Sequence, residues 1–334
     1  METWKRTVYI SLVCVFCTAF GVSQLAPILP LYFHDLGVQT PEAMSLWSGL
    51  ATGATYIIVC LAAPFWGRVA DKKGRKITLI RSSFGMALCN VLIAFQTTPE
   101  GVVLIRLVQG LVSGFYSASI TLIASESPIE RTGWALGLLA SANLAGSLIG
   151  PLLGGYIADT VGIRNDFIIV GTLMGLAGVL ATIFIHENYV PQPNPEKLSI
   201  RKLKEQIPEF NSIVALCVAS FIYAICIMSL QPVISVYIKG IVPSDTENLA
   251  FIAGAVFSAM GIAQLMSSSP LGKLVDKIGP RKVLVVSLIY VGILNIPQAY
   301  VSDVYQLAII RFLQGFGLGG MLPALNTYLS SKTP

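Results

Sequence analysis

Apolar runs of about twenty residues, separated by short polar gaps, recur along nearly the whole chain. They fall at roughly 7–33, 44–66, 77–97, 102–124, 133–158, 167–185, 211–238, 248–270, 283–301 and 304–329. A helix needs roughly 20 apolar residues to cross the hydrocarbon core of a bilayer. Within each run the apolar character is continuous and glycine-rich, with no strand-like alternation. Lipid offers no partner to exposed backbone groups, so such runs cross as helices. The pattern predicts an all-α polytopic membrane protein.

Composition sharpens this. Of 334 residues, 54% are hydrophobic and 12% charged, with a mean hydropathy of +0.73. Average soluble domains carry about 25% charged residues, too many for this chain to match. The placement of charge sets the topology. With the N-terminus in the cytoplasm, the outer side receives only Arg164 and Lys239. Lys5, Arg6, Arg68, Lys72, Lys73, Arg75, Lys76, Arg131 and the basic residues of 197–204, 273–282 and Lys332 stay inside. That is the positive-inside bias. The net charge of +5 is thereby topogenic and points to no nucleic-acid partner. The first apolar run is too long for a signal peptide and no cleavage site follows it.

The longest polar stretch, Glu187 to Glu209, opens with Pro191, Pro193 and Pro195, which forbid a continuous helix. Within it Ile200, Leu203 and Ile207 share one face, so a short interfacial helix is expected. It divides the chain into a bundle at 1–186, a cytoplasmic linker at 187–209 and a second bundle at 210–334.

The two bundles repeat each other. Gly67-x-x-x-Asp71-Lys72-x-Gly74-Arg75-Lys76 returns as Gly272-x-x-x-Asp276-Lys277-x-Gly279-Pro280-Arg281-Lys282, 205 residues later. Arg106-x-x-Gln109-Gly110 returns as Arg311-x-x-Gln314-Gly315 at the same offset. Pro27, Tyr32 and Gly49 match Pro232, Tyr237 and Gly254. The offset equals six spans, so both copies have the same polarity, the parallel-repeat plan of transporters whose halves flank a central site. The second copy stops at the equivalent of Pro128's neighbourhood. Two further spans are therefore expected, and the chain reads as ten of twelve transmembrane helices.

Several positions carry candidate chemistry. Arg106 and Arg311 are costly inside a membrane. Each is expected either to donate to carbonyls or glutamine side chains within its bundle, or to snorkel outward. Gly67 and Gly74 are expected to let the chain turn sharply at the cytoplasmic surface. In the fifth span Gly146, Gly150 and Gly154 form a small-residue stripe suited to close helix packing. The eighth span, with Gly254, Ser258 and Gly261, is the expected partner. Pro151 is expected to bend the fifth span. Cys14 and Cys17 form a C-x-x-C, but with no histidine or second pair nearby they read as packing residues rather than a metal site. His34 reads as a solvated boundary residue.

The segment from Gly67 to Lys76 resembles the loop signature between helices 2 and 3 of the major facilitator superfamily. Gly137-x8-Gly146-x3-Gly150-Pro151-x2-Gly154-Gly155 is similar to the signature of its drug–proton antiporter branch. The wording APFWGRVADKKGRK (Ala63 to Lys76) and GWALG (Gly133 to Gly137) resembles the MdtG and PmrA type of multidrug efflux protein. The resemblance implies two parallel-repeat helical bundles in the cell membrane. It implies proton-coupled export of small amphipathic drugs by alternating access, from a monomer without cofactor. It further implies that Gly67, Asp71, Arg75, Arg106, Gln109, Gly272, Asp276 and Arg311 serve switching and proton coupling. Asp71 would cap the eleventh helix, and Asp276 would face the fifth near Gly133 and Trp134. Gly137, Gly146, Gly150, Pro151, Gly154 and Gly155 would form the antiporter hinge.

A drug pocket needs apolar and aromatic walls with a few polar groups. The candidates on spans are Gln24, Tyr56, Tyr116, Asn143, Tyr223, Met228, Gln231, Met321 and Asn326. No carboxylate is read as lying in the middle of a span, so the coupling acid is sought in Asp71, Asp35 or the expected further helices. The only histidines, His34 and His186, fall on opposite sides of the membrane, and no nucleophile–base set lies within a span. The chain is thus not read as an enzyme. Transport of another small solute such as a sugar derivative, or a non-functional fragment, stand as alternatives.

Overall fold

Helix boundaries follow local chemistry. α1 (Thr3–Ser23) and α2 (Leu25–Asp35) together make the first span. α3 (Pro41–Lys73) opens where the Thr40 side chain accepts from the Ala43 amide, with Pro41 in the first turn. α4 runs Arg75–Ala94. α5 (Pro99–Val112) opens in the same way, under Thr98 and Pro99. Both are side-chain caps followed by a proline that has no amide to orphan. α6 (Phe115–Glu126), α7 (Ile129–Val161) and α8 (Ile163–Phe184) complete the first six spans. Then follow α9 (Phe210–Ile241), α10 (Leu249–Ile278), α11 (Pro280–Gln298), α12 (Val304–Gly319) and α13 (Met321–Lys332).

This computed structural model describes residues 3–187, 210–243 and 246–332, apart from the side chain of Thr3 and some side chains within 210–226 and 322–332. The linker with its expected interfacial helix lies outside these residues, as do the side chains of Tyr223 and Asn326. The described helices include nine long and apolar enough to cross a membrane. No strand occurs among the described residues.

The chain forms two compact units. The first holds α1–α8 together with 234–236 and 246–254; the second holds the rest of α9 and α10 with α11–α13. In the first unit α1 lies along α7 and α8, α4 along α8, and α3 along α5. One core layer gathers Cys14, Leu79, Phe115, Leu122, Leu139 and Met174; another gathers Ile28, Tyr32, Phe33, Met44, Ile93 and Phe167. In the second unit α11 packs on α12 and α13 around Val275, Val283, Val291, Leu318 and Met321.

Two expectations about shape need correction. The loop signature is mostly helix: α3 continues through Gly67 to Lys73, and an added Cβ on Gly67 would meet nothing within 4 Å. The turn is made by Gly74 alone, at φ +90°, and in the second copy by Gly279, also at φ +90°. Side chains rarely adopt that region, which is why glycine holds both positions. Gly272, like Gly67, is helical. Secondly, the fourth span is broken. Gly114, at φ +119°, separates α5 from α6.

Candidate functional site

The glycines of α7 do not share one partner. An added Cβ on Gly146 would lie 2.5 Å from the Phe16 carbonyl oxygen, and one on Gly150 2.5 Å from that of Phe20. One on Gly154 would collide with the Gln24 amide oxygen. The stripe therefore seats α1, not the eighth span as expected from its spacing. The neighbouring face of α7 meets the start of α10, within the first unit. There Gly254 sits on the Pro151 carbonyl, and Gly155 on that of Ala250. Asp159 closes this contact: its carboxylate accepts from the amides of Ala250 at 3.2 Å and Phe251 at 2.7 Å. A carboxylate on the exposed amides of a helix N-terminus is favourable. Gly137, in the first half of α7, is exposed.

Above the stripe, Gln24 and Asp166 form a buried pair. Both are 0% exposed, and the Gln24 Nε2 donates to Asp166 Oδ2 at 3.0 Å. Gln24 Oε1 and Asp166 Oδ1 have no hydrogen-bond partner. The structure places Gln24, a cargo candidate in the sequence, inside this pair. It also identifies an acid that the reading missed. With the sixth span drawn from residue 167, Asp166 fell one residue outside it, whereas α8 begins at Ile163. A polar residue within one turn of an apolar run, directly before Phe167, was the available signal.

Of the switch candidates, Gly67, Asp71 and Arg75 line one cleft of about 330 Å³ between α3, α4, α5 and α6. Trp66 and Arg81 line it too. The Arg81 guanidinium stacks 3.4 Å from the Trp66 ring centroid and donates to the carbonyls of Leu111 and Ser113. Trp66 Nε1 also donates to the Leu111 carbonyl, at 2.7 Å. The two side chains thus occupy carbonyls that the α5–α6 break leaves without helical partners. Asp71 is exposed at the end of α3. The turn beside it is held by a residue the sequence reading passed over. Both Glu187 oxygens accept from the amides of Arg75 and Lys76, each at 2.8 Å.

Arg106 is buried, and its Nη1 donates to Gln109 Oε1 at 2.6 Å. It stays inside the bundle and does not snorkel. Arg311, in the second unit, is 2% exposed. Its Nη1 reaches the Met260 sulfur at 3.4 Å, while its Nε and Nη2 have no partner. Asp276 is exposed at the end of α10.

Among the described cargo candidates, Tyr56 and Met228 are exposed, Tyr116, Asn143 and Gln231 half-buried and Met321 buried. None of them lines the 330 Å³ cleft. His34 lies 3.8 Å from Asp35, both partly exposed. Cys14 donates to the Ala177 carbonyl and acts as a packing group. No cluster of three potential metal ligands occurs among the described residues.

Spanning helices in two compact units, with buried arginines and a glycine-lined fifth span, define a multi-pass helical membrane protein. The chain belongs to the Major Facilitator Superfamily, whose family model matches residues 11–241 and 216–334. It is 38% identical over 326 residues to the Multidrug resistance protein MdtG of Salmonella dublin, covering 98% of this chain and 80% of that protein. It is 40% identical over 331 residues to the Multi-drug resistance efflux pump PmrA homolog of Lactococcus lactis, covering 99% and 81%. Among solved structures, the nucleoside transporter NupG superposes with TM-score 0.74 at 12% identity, over 100% of this chain and 84% of that one. The human organic anion transporter MFSD10 gives 0.71 at 15% identity, over 100% and 87%. At those identities the structures share the fold alone.

Proposed function

We propose that this protein exports small amphipathic drugs across the cell membrane in exchange for protons, by alternating access. The observation that carries the reading is the likeness to multidrug efflux proteins at 38–40% identity over nearly the whole chain. The cleft at the cytoplasmic signature supports a conformational role for Gly67, Asp71 and Arg75. The Arg106–Gln109 pair supports a switching role for Arg106, because a buried polar pair that is only partly satisfied is costly and its partners matter energetically. In this reading the N-terminus is cytoplasmic, the protein acts as a monomer, and residues 1–186 and 210–334 are the two bundles. Tyr56, Tyr116, Asn143, Tyr223, Met228, Gln231 and Asn326 remain the proposed cargo contacts, with Gln24 withdrawn.

Export is tested by following dye or fluoroquinolone accumulation in cells expressing the chain. Expression should lower accumulation, and an uncoupler should restore it. Accumulation unchanged by expression would reject the reading. Lowered accumulation that ignores the uncoupler would reject proton coupling.

A further inference from the structure

We propose that Asp166 is a proton-binding carboxyl and that Gln24, at the junction of α1 and α2, reads its state. This rests on the antiport reading and names the acid that it lacks. The pair is 0% exposed, and the chain neighbours of its two members, Leu25 and Phe167, belong to one buried apolar layer. Two of its four oxygen and nitrogen atoms, Gln24 Oε1 and Asp166 Oδ1, are buried acceptors without a donor. An unsatisfied buried polar atom is costly, and two in one pair call for an explanation. One proton supplies it. A proton taken from water onto Oδ1 creates an O–H that donates to Gln24 Oε1, while Nε2 goes on donating to Oδ2. The acid and the amide then hold each other by two hydrogen bonds. When the proton returns to water, the carboxylate regains its negative charge and two lone-pair oxygens oppose each other. The amide must then turn or withdraw.

The fold ties that movement to the helices. Gln24 is the single residue joining α1 to α2, and its backbone stays helical: at φ −65° and ψ −22° its amide donates to the Phe20 carbonyl and its carbonyl accepts from the Ile28 amide, so a push on its side chain acts on one continuous helical path. Gly154 leaves the space its amide fills. Of the other titratable groups on the surrounding elements, His34 and Asp35 of α2 lie partly exposed beside each other, and Tyr156 of α7 packs edge-on against Phe251. Asp159 of α7 holds the amides of Ala250 and Phe251. Tyr32 of α2 donates to the carbonyls of Ile93 and Gln96, and Arg164 of α8 reaches the Gln96 carbonyl. On α4, Arg81 is bound to the carbonyls of Leu111 and Ser113, and Cys89 is buried. On α1, Cys14 donates to the Ala177 carbonyl and Cys17 is buried. No cationic side chain lies within ion-pair distance of Asp166 among the described residues.

Infrared difference spectroscopy of the purified protein, titrated with pH, reads the proton directly. The wild type should show a carboxylic-acid carbonyl band that titrates. The band should be lost in the isosteric Asp166→Asn. In Gln24→Leu it should move to higher frequency, because the acid loses its hydrogen bonds. In proteoliposomes, drug-driven proton release should be lost in Asp166→Asn while drug binding persists. A titrating band unchanged in both variants, or proton release undiminished by Asp166→Asn, overturns the proposal. A band that depends on Asp166, in a wild type that shows no drug-linked proton release, supports the proton site and overturns the antiport reading instead.

Discussion

The two copies of the repeat share their backbone contacts and differ in what decorates them. Tyr32 donates to the Gln96 carbonyl in the first copy, and Tyr237 donates to that of Val301, its equivalent, in the second. Gly110 lets α5 approach the Thr55 carbonyl, and Gly315 lets α12 approach that of Met260. One contact is conserved by exchange. Gly85 faces Val112 in the first copy, whereas Tyr290 faces Gly317 in the second, so bulk and space have swapped helices. Polar groups do not follow the backbone. Arg106 holds Gln109, but Gln314 turns to Asn295 and Gln298, and Arg311 keeps a sulfur. Arg81 and Trp66 correspond to Val286 and Leu271. Packing has been kept in both copies, while the polar apparatus is concentrated in the first.

The shared contacts give the largest expected effect. Gly110→Ala places a carbon 2.5 Å from the Thr55 carbonyl oxygen, and Gly315→Ala places one still closer to that of Met260. Both obstacles are backbone, so the helices must part. Overpacking of this kind costs about 1–3 kcal/mol. Both variants should unfold at lower temperature in detergent, Gly315→Ala the more. A neutral result in either would mean that the copies do not share this contact.

The arginines break the comparison. Arg106→Met leaves the Gln109 oxygen buried without its donor, at a cost of about 1–3 kcal/mol. Arg311→Met deletes two unpartnered donors and gives Phe257 and Met260 an apolar neighbour. Replacing a poorly satisfied buried charge with a packed apolar side chain is often neutral or stabilising. Thermal unfolding should therefore fall for Arg106→Met and stay level or rise for Arg311→Met. Equal losses would show that both arginines are held alike.

The exchanged pair sharpens it. Gly317→Val alone drives a side chain into Tyr290, and Tyr290→Gly alone opens a void. Together they rebuild the first copy's arrangement of Gly85 against Val112. The double variant should recover much of the loss, with a coupling of about 0.5–3 kcal/mol in a double-mutant cycle. Strict additivity would deny the exchange.

What the sequence made legible follows the same division. Spans and register could be read because apolar length and a fixed offset are properties of the chain itself. Gly110 and Gly315 announced their shared contact by recurring 205 residues apart. The partner of the Gly146–Gly150–Gly154 stripe did not announce itself. A small-residue row says that a helix approaches, not which, and α1 and α10 occupy adjacent faces of α7. Gln24 looked like a cargo contact because a glutamine in a span is polar wherever it points. Its meaning came from Asp166, 142 residues away. Glu187 was hidden for the opposite reason: at the border of the polar linker, one more acid carries no signal.

That last residue yields the smallest expected effect, and the most local one. Glu187 satisfies two amides at the start of α4, those of Arg75 and Lys76. In the second copy Pro280 takes the place of Arg75 and has no amide to satisfy. The first copy therefore uses a charge where the second uses a proline, two routes to the same helix start. Glu187→Ala should cost about 0.5–2 kcal/mol, the range for losing a side-chain cap. Hydrogen exchange should quicken at the Arg75 and Lys76 amides and leave Arg281 unaffected. Replacing Arg75 with proline in the Glu187→Ala background removes one of the two orphaned amides and copies the second turn into the first. If that restores only the stability, the clamp serves the helix alone. If drug efflux falls in Glu187→Ala and the proline does not return it, the charge itself acts on the neighbouring cleft, and the asymmetry between the copies reaches their function.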